Sequence, residues 1–246
     1  MSIAKEQLCS IMEHYNIGKK PLAKLLGWGD TTVMRYLNGV EPNQEFAIKI
    51  QQLAENPWKY IQILEQNKEH ITEIAYKKTK KAVYQEIFRD RSIEAMQYVI
   101  TLADGDIAPY RVISVLYYAQ VCSLVFRGVP LFEEEADVSP SQFVAYPRLY
   151  EQMKQYGIHL LSPEYSCFSI EEQEYLKQVY FVLNGYSPNA LKVLFVREKR
   201  RIRHNLGKEI KLVGHEALAS QYEERIESLS DLKSYLSKAL KSENAI

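Results

Sequence analysis

The residues best suited to chemistry lie near the start of this chain. Between Gly27 and Gly39 runs "GWGDTTVMRYLNG". Arg35 can fork onto a guanine or a phosphate, and Thr31 and Thr32 can bond either. Lys19 and Lys20, a few residues earlier, can meet phosphates. Helical spacing predicts an exposed face of Thr31, Met34, Arg35 and Asn38, with Val33 and Tyr36 turned inward. A recognition helix works in this way, with its N-terminal residues on base edges in the major groove. The set Lys19, Lys20, Thr31, Thr32, Met34, Arg35 and Asn38 is therefore the candidate DNA-binding site.

Catalytic chemistry has no comparable support. His14, His70, His159, His204 and His215 share no spacing with cysteine or acidic residues that would hold a metal. There is no glycine-rich phosphate loop and no nucleophile motif. "EEEAD", Glu133 to Asp137, reads as a solvated acidic loop. The dense basic run "REKRRIRH", Arg197 to His204, reads as a solvated helix face, with a grip on nucleic acid or an acidic partner as its alternative. The expectation is a protein that is not an enzyme and carries no cofactor or metal.

The elements that must position these residues are almost all helices. "KKPLAKLL" has Pro21 in its first turn, where an amide has no intrahelical partner. Gly27 ends that helix as a residue able to take positive φ, and Asp30 is the expected N-cap of the next. Ile3, Leu8, Ile11, Met12 and Tyr15 share one side of an opening helix. Asn43 is expected to cap a fourth, burying Phe46, Ile50, Leu53 and Ala54. From Pro57 to Phe88 no further glycine or proline interrupts the chain. This stretch reads as a helical connector or dimerising helix, with a break near Lys77 as the alternative.

Further on, Ser92 is expected as an N-cap. Pro109 starts the apolar stretch "VISVLYYAQVCSLVF" (Val112–Phe126), a buried core helix too short to span a bilayer. Ser139 to Gln142 reads as a capping box opening a helix that Pro147 should break or kink. Ser169 with Glu172, Ser187-Pro188, and Ser228 with Asp231 mark three later helix starts. His159–Ser169 and Glu209–Gly214 read as short extended pieces. The expected organisation is mainly α: a helix-turn-helix domain over 1–60, a helical connector over 61–91, and a mostly helical domain with short strands over 92–246.

Composition limits the partners. The net charge is zero, so no global field points to nucleic acid or membrane. Residues 1–56 carry six basic and six acidic side chains, 57–91 eight and five, and 92–246 seventeen and twenty. A neutral opening module offers few phosphate contacts, so DNA binding as a homodimer is expected. Cys9, Cys122 and Cys167 are scattered, which argues for a reducing, cytoplasmic setting and against a disulfide framework. No signal segment opens the chain.

Two resemblances add to this. Gly27, Thr32, Val33, Arg35, Tyr36, Asn38 and Gly39 resemble the phage-repressor type of helix-turn-helix over about 40 residues. "VLYYAQV" (Leu116, Tyr117, Tyr118, Ala119, Gln120), Gly128, Pro130, Leu131, Phe132 and Glu133 to Glu135, then "PRLYEQMKQYG" and the late helix pair, resemble the Panacea-domain, or SocA-like, antitoxins over about residues 92–200. Phe195, Val196 and Glu198 stand where that family carries a threonine-histidine pair followed by an acidic residue. The resemblance implies an antitoxin that binds a cognate toxin through its second domain and represses their shared promoter. Tyr117, Tyr118 and Gln120 are the partner-binding candidates it implies, with at least one tyrosine reaching the surface or a groove. The alternative is a phage-type transcriptional regulator whose second domain dimerises or senses a ligand.

Overall fold

The computed structural model describes residues 3–157 and 166–241. Among them are thirteen α-helices and one two-stranded antiparallel ribbon, the mainly α class that the periodicity predicts. The chain divides into two units, Met1–Arg89 and Asp90–Ile246.

The first unit holds α1 (Ile3–His14), α2 (Lys19–Leu26), α3 (Asp30–Leu37), α4 (Gln44–Glu55), α5 (Pro57–Gln66) and α6 (Glu73–Ile87). Leu8 and Ile11 of α1, with Tyr15 just beyond it, face the core, whereas Ile3 stays exposed. Asn43 caps α4, its Oδ1 accepting from Phe46 N at 3.0 Å. The cap of α3 differs from expectation. Gly29 occupies the N-cap and Asp30 is the first helical residue, making no capping bond. Its charge still suits the positive end of the helix.

The stretch read as a connector is neither a single helix nor outside the core. Asn67 ends α5, a 3-10 turn follows, and Thr72 caps α6 by accepting from Ala75 N at 3.3 Å. The weak apolar pattern past Tyr76 has a physical cause: α6 buries Thr79, Val83, Tyr84 and Ile87, a helical stripe with one polar member. The Thr79 and Tyr60 hydroxyls bond at 2.9 Å, both residues fully buried. Tyr60 stacks on Tyr15 with ring centroids 4.0 Å apart, and the Tyr15 hydroxyl donates to Leu53 O at 3.2 Å. One aromatic axis thus ties α1, α4, α5 and α6. Outside it, Lys80 pairs with Glu65 at 3.0 Å, and Tyr76 donates to the same Oε1 at 2.8 Å. Burial works against the Glu65 charge, but these hydrogen bonds outweigh it and hold the carboxyl below its ordinary value.

The second unit is built around α8 (Pro109–Arg127), which is buried on every side from Val112 to Leu124. A helix apolar all round belongs in a core. Around it stand α7 (Arg91–Leu102), α9 (Pro147–Tyr156), α10 (Ile170–Asn184), α11 (Pro188–Leu206) and α12 (His215–Ser220), and α13 (Leu229–Lys241) packs on α10 and α11. Strand β1 (Ala136–Asp137) pairs with β2 (Leu212–Val213), Ala136 opposite Val213. So the 209–214 piece is extended as predicted, and its partner is the end of "EEEAD". Residues 158–165 of the other expected extended piece lie outside the described residues.

Two expected helix starts are corrected. Asp90, not Ser92, caps α7, its Oδ1 accepting from Ser92 N at 2.9 Å. Ser92 is buried inside the helix. Ser139 to Gln142 closes a turn, Gln142 N donating to Ser139 O at 3.1 Å, and no helix follows. Pro147 then begins α9 at N1 instead of breaking a helix, after a bend that buries Val144, Ala145 and Tyr146. The Ser169/Glu172 capping box and the Ser187 cap form as expected.

Because α6 completes the first core, the length of a fragment decides whether it folds. A fragment of residues 1–89 is expected to unfold cooperatively on heating. A fragment ending at 60 leaves Tyr60 without Thr79 and its core without Val83 and Ile87, and is expected to show no cooperative transition. Circular dichroism melts of the two fragments check this, and equal melts would restore the 1–60 boundary.

Candidate nucleic-acid interface and partner-binding residues

The α2 and α3 helices are joined by three residues, Gly27, Trp28 and Gly29. Gly27 takes φ +68, and a Cβ there would meet nothing within 4 Å. Glycine is needed for its backbone angle and not for space. The Trp28 amide closes the turn onto Ala23 O at 2.8 Å. Its ring packs on Phe46 of α4 at 4.6 Å and edge-on to Tyr36 of α3 at 6.2 Å.

This turn sets the outer face of α3. Val33, Tyr36 and Leu37 are buried, while Thr31, Met34, Arg35 and Asn38 are exposed and Thr32 is half-buried. Lys19 and Lys20, at the start of α2, are exposed too. Six of the seven sequence-predicted residues therefore sit on two adjoining helices, and Asn38 is the C-cap of the second. Among the described residues none of their side chains is engaged in a hydrogen bond or ion pair. By contrast Arg91, Arg148 and Arg201 of the second unit are all tied down. The starts of α2 and α3 share another property. Gly18 and Gly29 cap them without a side-chain bond, whereas Asn43, Asn56 and Thr72 cap α4, α5 and α6. First-turn amides of α2 and α3 thus remain open to water or to phosphate oxygens. With α6 included, the first unit carries thirteen basic and ten acidic side chains, so the opening unit is not neutral.

The partner-binding candidates are placed differently. Tyr117 and Tyr118 are 1 % exposed and Gln120 is 0 %, so the expectation that a tyrosine reaches the surface is corrected. Gln120 clamps the loop after α8: its Nε2 donates to Phe132 O and its Oε1 accepts from Leu131 N, both at 2.8 Å. The cavity beside Tyr117 and Tyr118 measures about 10 Å³, room for no more than a water molecule. The two side chains lie about 100° apart on α8, but that helix is surrounded, so either direction leads into the core.

Tyr117 belongs to a network that sequence reasoning missed. Its hydroxyl bonds that of Tyr222 at 2.7 Å, and Tyr222 donates to Glu198 Oε2 at 2.8 Å. Tyr235 donates to Glu198 Oε1, and Arg201 pairs with Oε2 at 2.5 Å. Glu198 is 3 % exposed. Burial, then the Glu198 charge, push the Tyr117 hydroxyl far above its ordinary value, so it stays a neutral donor. "REKRRIRH" is therefore not simply a solvated face. Glu198 and Lys199 point inward, and Lys199 donates to Pro140 O at 3.1 Å and to Gln142 O. The available signal was an acid three residues before an arginine inside a basic run.

Elsewhere, Glu94 Oε1 accepts from Ser166 Oγ at 2.6 Å and from the amides of Cys167 and Phe168. Arg148 joins Asp90 at 2.8 Å and Glu134 at 2.5 Å, which gives the middle of "EEEAD" a structural task. Among the described residues no group of three or more metal-ligating side chains forms.

Removing the Glu198 carboxylate leaves Arg201 without its counter-charge and the hydroxyls of buried Tyr222 and half-buried Tyr235 without an acceptor. Glu198→Ala is expected to destabilise the second unit by about 3–5 kcal/mol, the usual cost of breaking a buried pair. Chemical denaturation checks this, and a loss under about 1 kcal/mol would make the network incidental. Comparison with protein-family models, with curated proteins and with solved structures finds no match to this chain.

Proposed function

We propose that this protein reads duplex DNA through α3 and regulates transcription, and that it serves as the antitoxin of a toxin–antitoxin pair. One observation carries the DNA reading. Six polar, basic or flexible side chains, with half-buried Thr32 beside them, face outward on α2, on α3 and at its C-cap Asn38, and none of the seven makes a side-chain hydrogen bond or ion pair among the described residues. Arg35 and the two threonines suit base edges, and Lys19 and Lys20 suit phosphates at the open start of α2.

The antitoxin role rests on the resemblance of the second unit to Panacea-domain proteins. The residues that carry it, Tyr117, Tyr118, Gln120 and Phe132, are core residues here. They argue for a shared scaffold, so toxin contacts belong to surface residues of that scaffold. Neutralisation by binding needs no catalytic group and no cofactor. A homodimer would double the phosphate contacts available to the first unit.

One experiment separates the roles. The gene beside this one is expressed in a host carrying a reporter under this chain's own upstream region. The full chain is expected to repress the reporter and to restore growth against the neighbour's product. Arg35→Ala is expected to weaken operator binding by about 1–3 kcal/mol, to lose repression and to keep growth rescue. Repression by Arg35→Ala equal to wild type would overturn the DNA reading. A harmless neighbour, or rescue that needs Arg35, would overturn the antitoxin role and leave a regulator.

A further inference from the structure

Lys49 lies on α4, outside the reading face, yet its ammonium is turned onto the turn that sets that face. Nζ donates to Leu26 O at 3.3 Å, the last carbonyl of α2. It also lies 5.7 Å from the centroid of the Trp28 ring. These two partners flank Gly27, the residue with φ +68. A terminal carbonyl of α2 lacks an intrahelical donor, and a cation is favoured at that end of a helix. The Trp28 face adds a cation–π contact. Phe46, one turn before Lys49, packs on the same ring, and Trp28 in turn meets Tyr36 of α3. A continuous chain of contacts therefore runs from α4 through the turn to the inner side of α3.

We infer that Lys49 is a positioning residue for α3: it locks the turn from below and does not itself touch DNA. This rests on the proposal that α3 reads DNA. Two further features fit. Lys49 is half-buried, unlike the exposed Lys19 and Lys20. Its charge is directed at a carbonyl and a ring of its own unit, so a phosphate would have to compete with both. A positioning role and a phosphate role then leave different marks. Positioning matters only where base edges must be met at the correct angle. A phosphate contact matters on any sequence and contributes to the salt dependence.

The test uses the full chain and a duplex that the wild type enriches from a randomised duplex pool. Affinities for that duplex and for a scrambled one are measured across a salt series for wild type, Lys49→Met, Lys49→Gln and Lys49→Arg, with circular dichroism to follow folding. Lys49→Met is expected to bind the selected duplex about tenfold more weakly, roughly the worth of one charge-assisted hydrogen bond. Its affinity for the scrambled duplex and its salt slope are expected to stay at wild-type values. Lys49→Arg, which keeps a cationic donor, is expected to recover most of the loss. Should Lys49→Met not fold, Lys49→Gln, a shorter neutral donor, is expected to show the same split. Equal weakening on both duplexes, with a salt slope shallower by about 0.9 per bound copy, would make Lys49 a phosphate contact and overturn the inference. Unchanged affinity on both would overturn it too. Failure of the wild type to enrich any duplex would remove the DNA reading itself, and the positioning role with it.

Discussion

A carboxylate closed off from water is the constraint on which the second unit depends. Arg201, Tyr222 and Tyr235 converge on Glu198 in the core. An isolated buried charge would cost several kcal/mol, so each partner must arrive from its own element at the correct distance. Arg201 comes from the same helix, Tyr222 from the turn after α12, and Tyr235 from α13. Tyr117 then extends the network into α8. Helices α8, α11 and α13 are thereby held in register by geometry that plain apolar packing would not require. Polar groups in a core narrow the set of compatible arrangements as long as every member is satisfied.

The first unit uses a milder form of the same logic. Its core is organised by Tyr15, Tyr60 and Thr79, whose rings and hydroxyls join four helices. α2 and α3 bury their apolar sides in the same unit and leave their outward polar side chains unspent. Rigid backing and an unspent outer face are together what a reading helix needs, because positional error at the base edges weakens every hydrogen bond made there. The left-handed Gly27 and the aromatic contacts of Trp28 determine where that face points.

Much of this was legible in the sequence, and most of the failures share a cause. Local chemistry announced itself: Pro21, Gly27, Asn43, Ser169 with Glu172, and Ser187 each marked a helix end by its own backbone or side-chain preference. The outer face of α3 was legible because inward Val33 and Tyr36 alternate with outward Thr31, Met34 and Arg35 at helical spacing. Most misreadings came where a polar or aromatic residue was spent inside, while Asp30 and Ser139 had a cap's chemistry without a cap's backbone position. Thr79 weakened the apolar stripe of α6 and made a core helix resemble a connector. Ser92 looked like a cap, but its neighbour Asp90 took that position. Glu198 and Lys199 were lost in a run of charge that looked solvated. Tyr117 and Tyr118 resembled surface anchors because a polar tip on an aromatic ring serves an interface and a hydrogen-bonded core equally well. For Tyr117 the core role depends on Tyr222, 105 residues away in sequence, and no local pattern encodes that pairing.

The central claim is that α3 enters the major groove and that Arg35 meets a base there. Methylation interference on a duplex enriched by the wild type tests it most directly. Methylation at guanine N7 blocks a major-groove contact, and methylation at adenine N3 blocks a minor-groove one. Exclusion of particular N7-methylated guanines from the wild-type complex, with at least one exclusion lost in Arg35→Ala, is the predicted result. Interference confined to adenine N3, or a guanine pattern identical in wild type and Arg35→Ala, would contradict it.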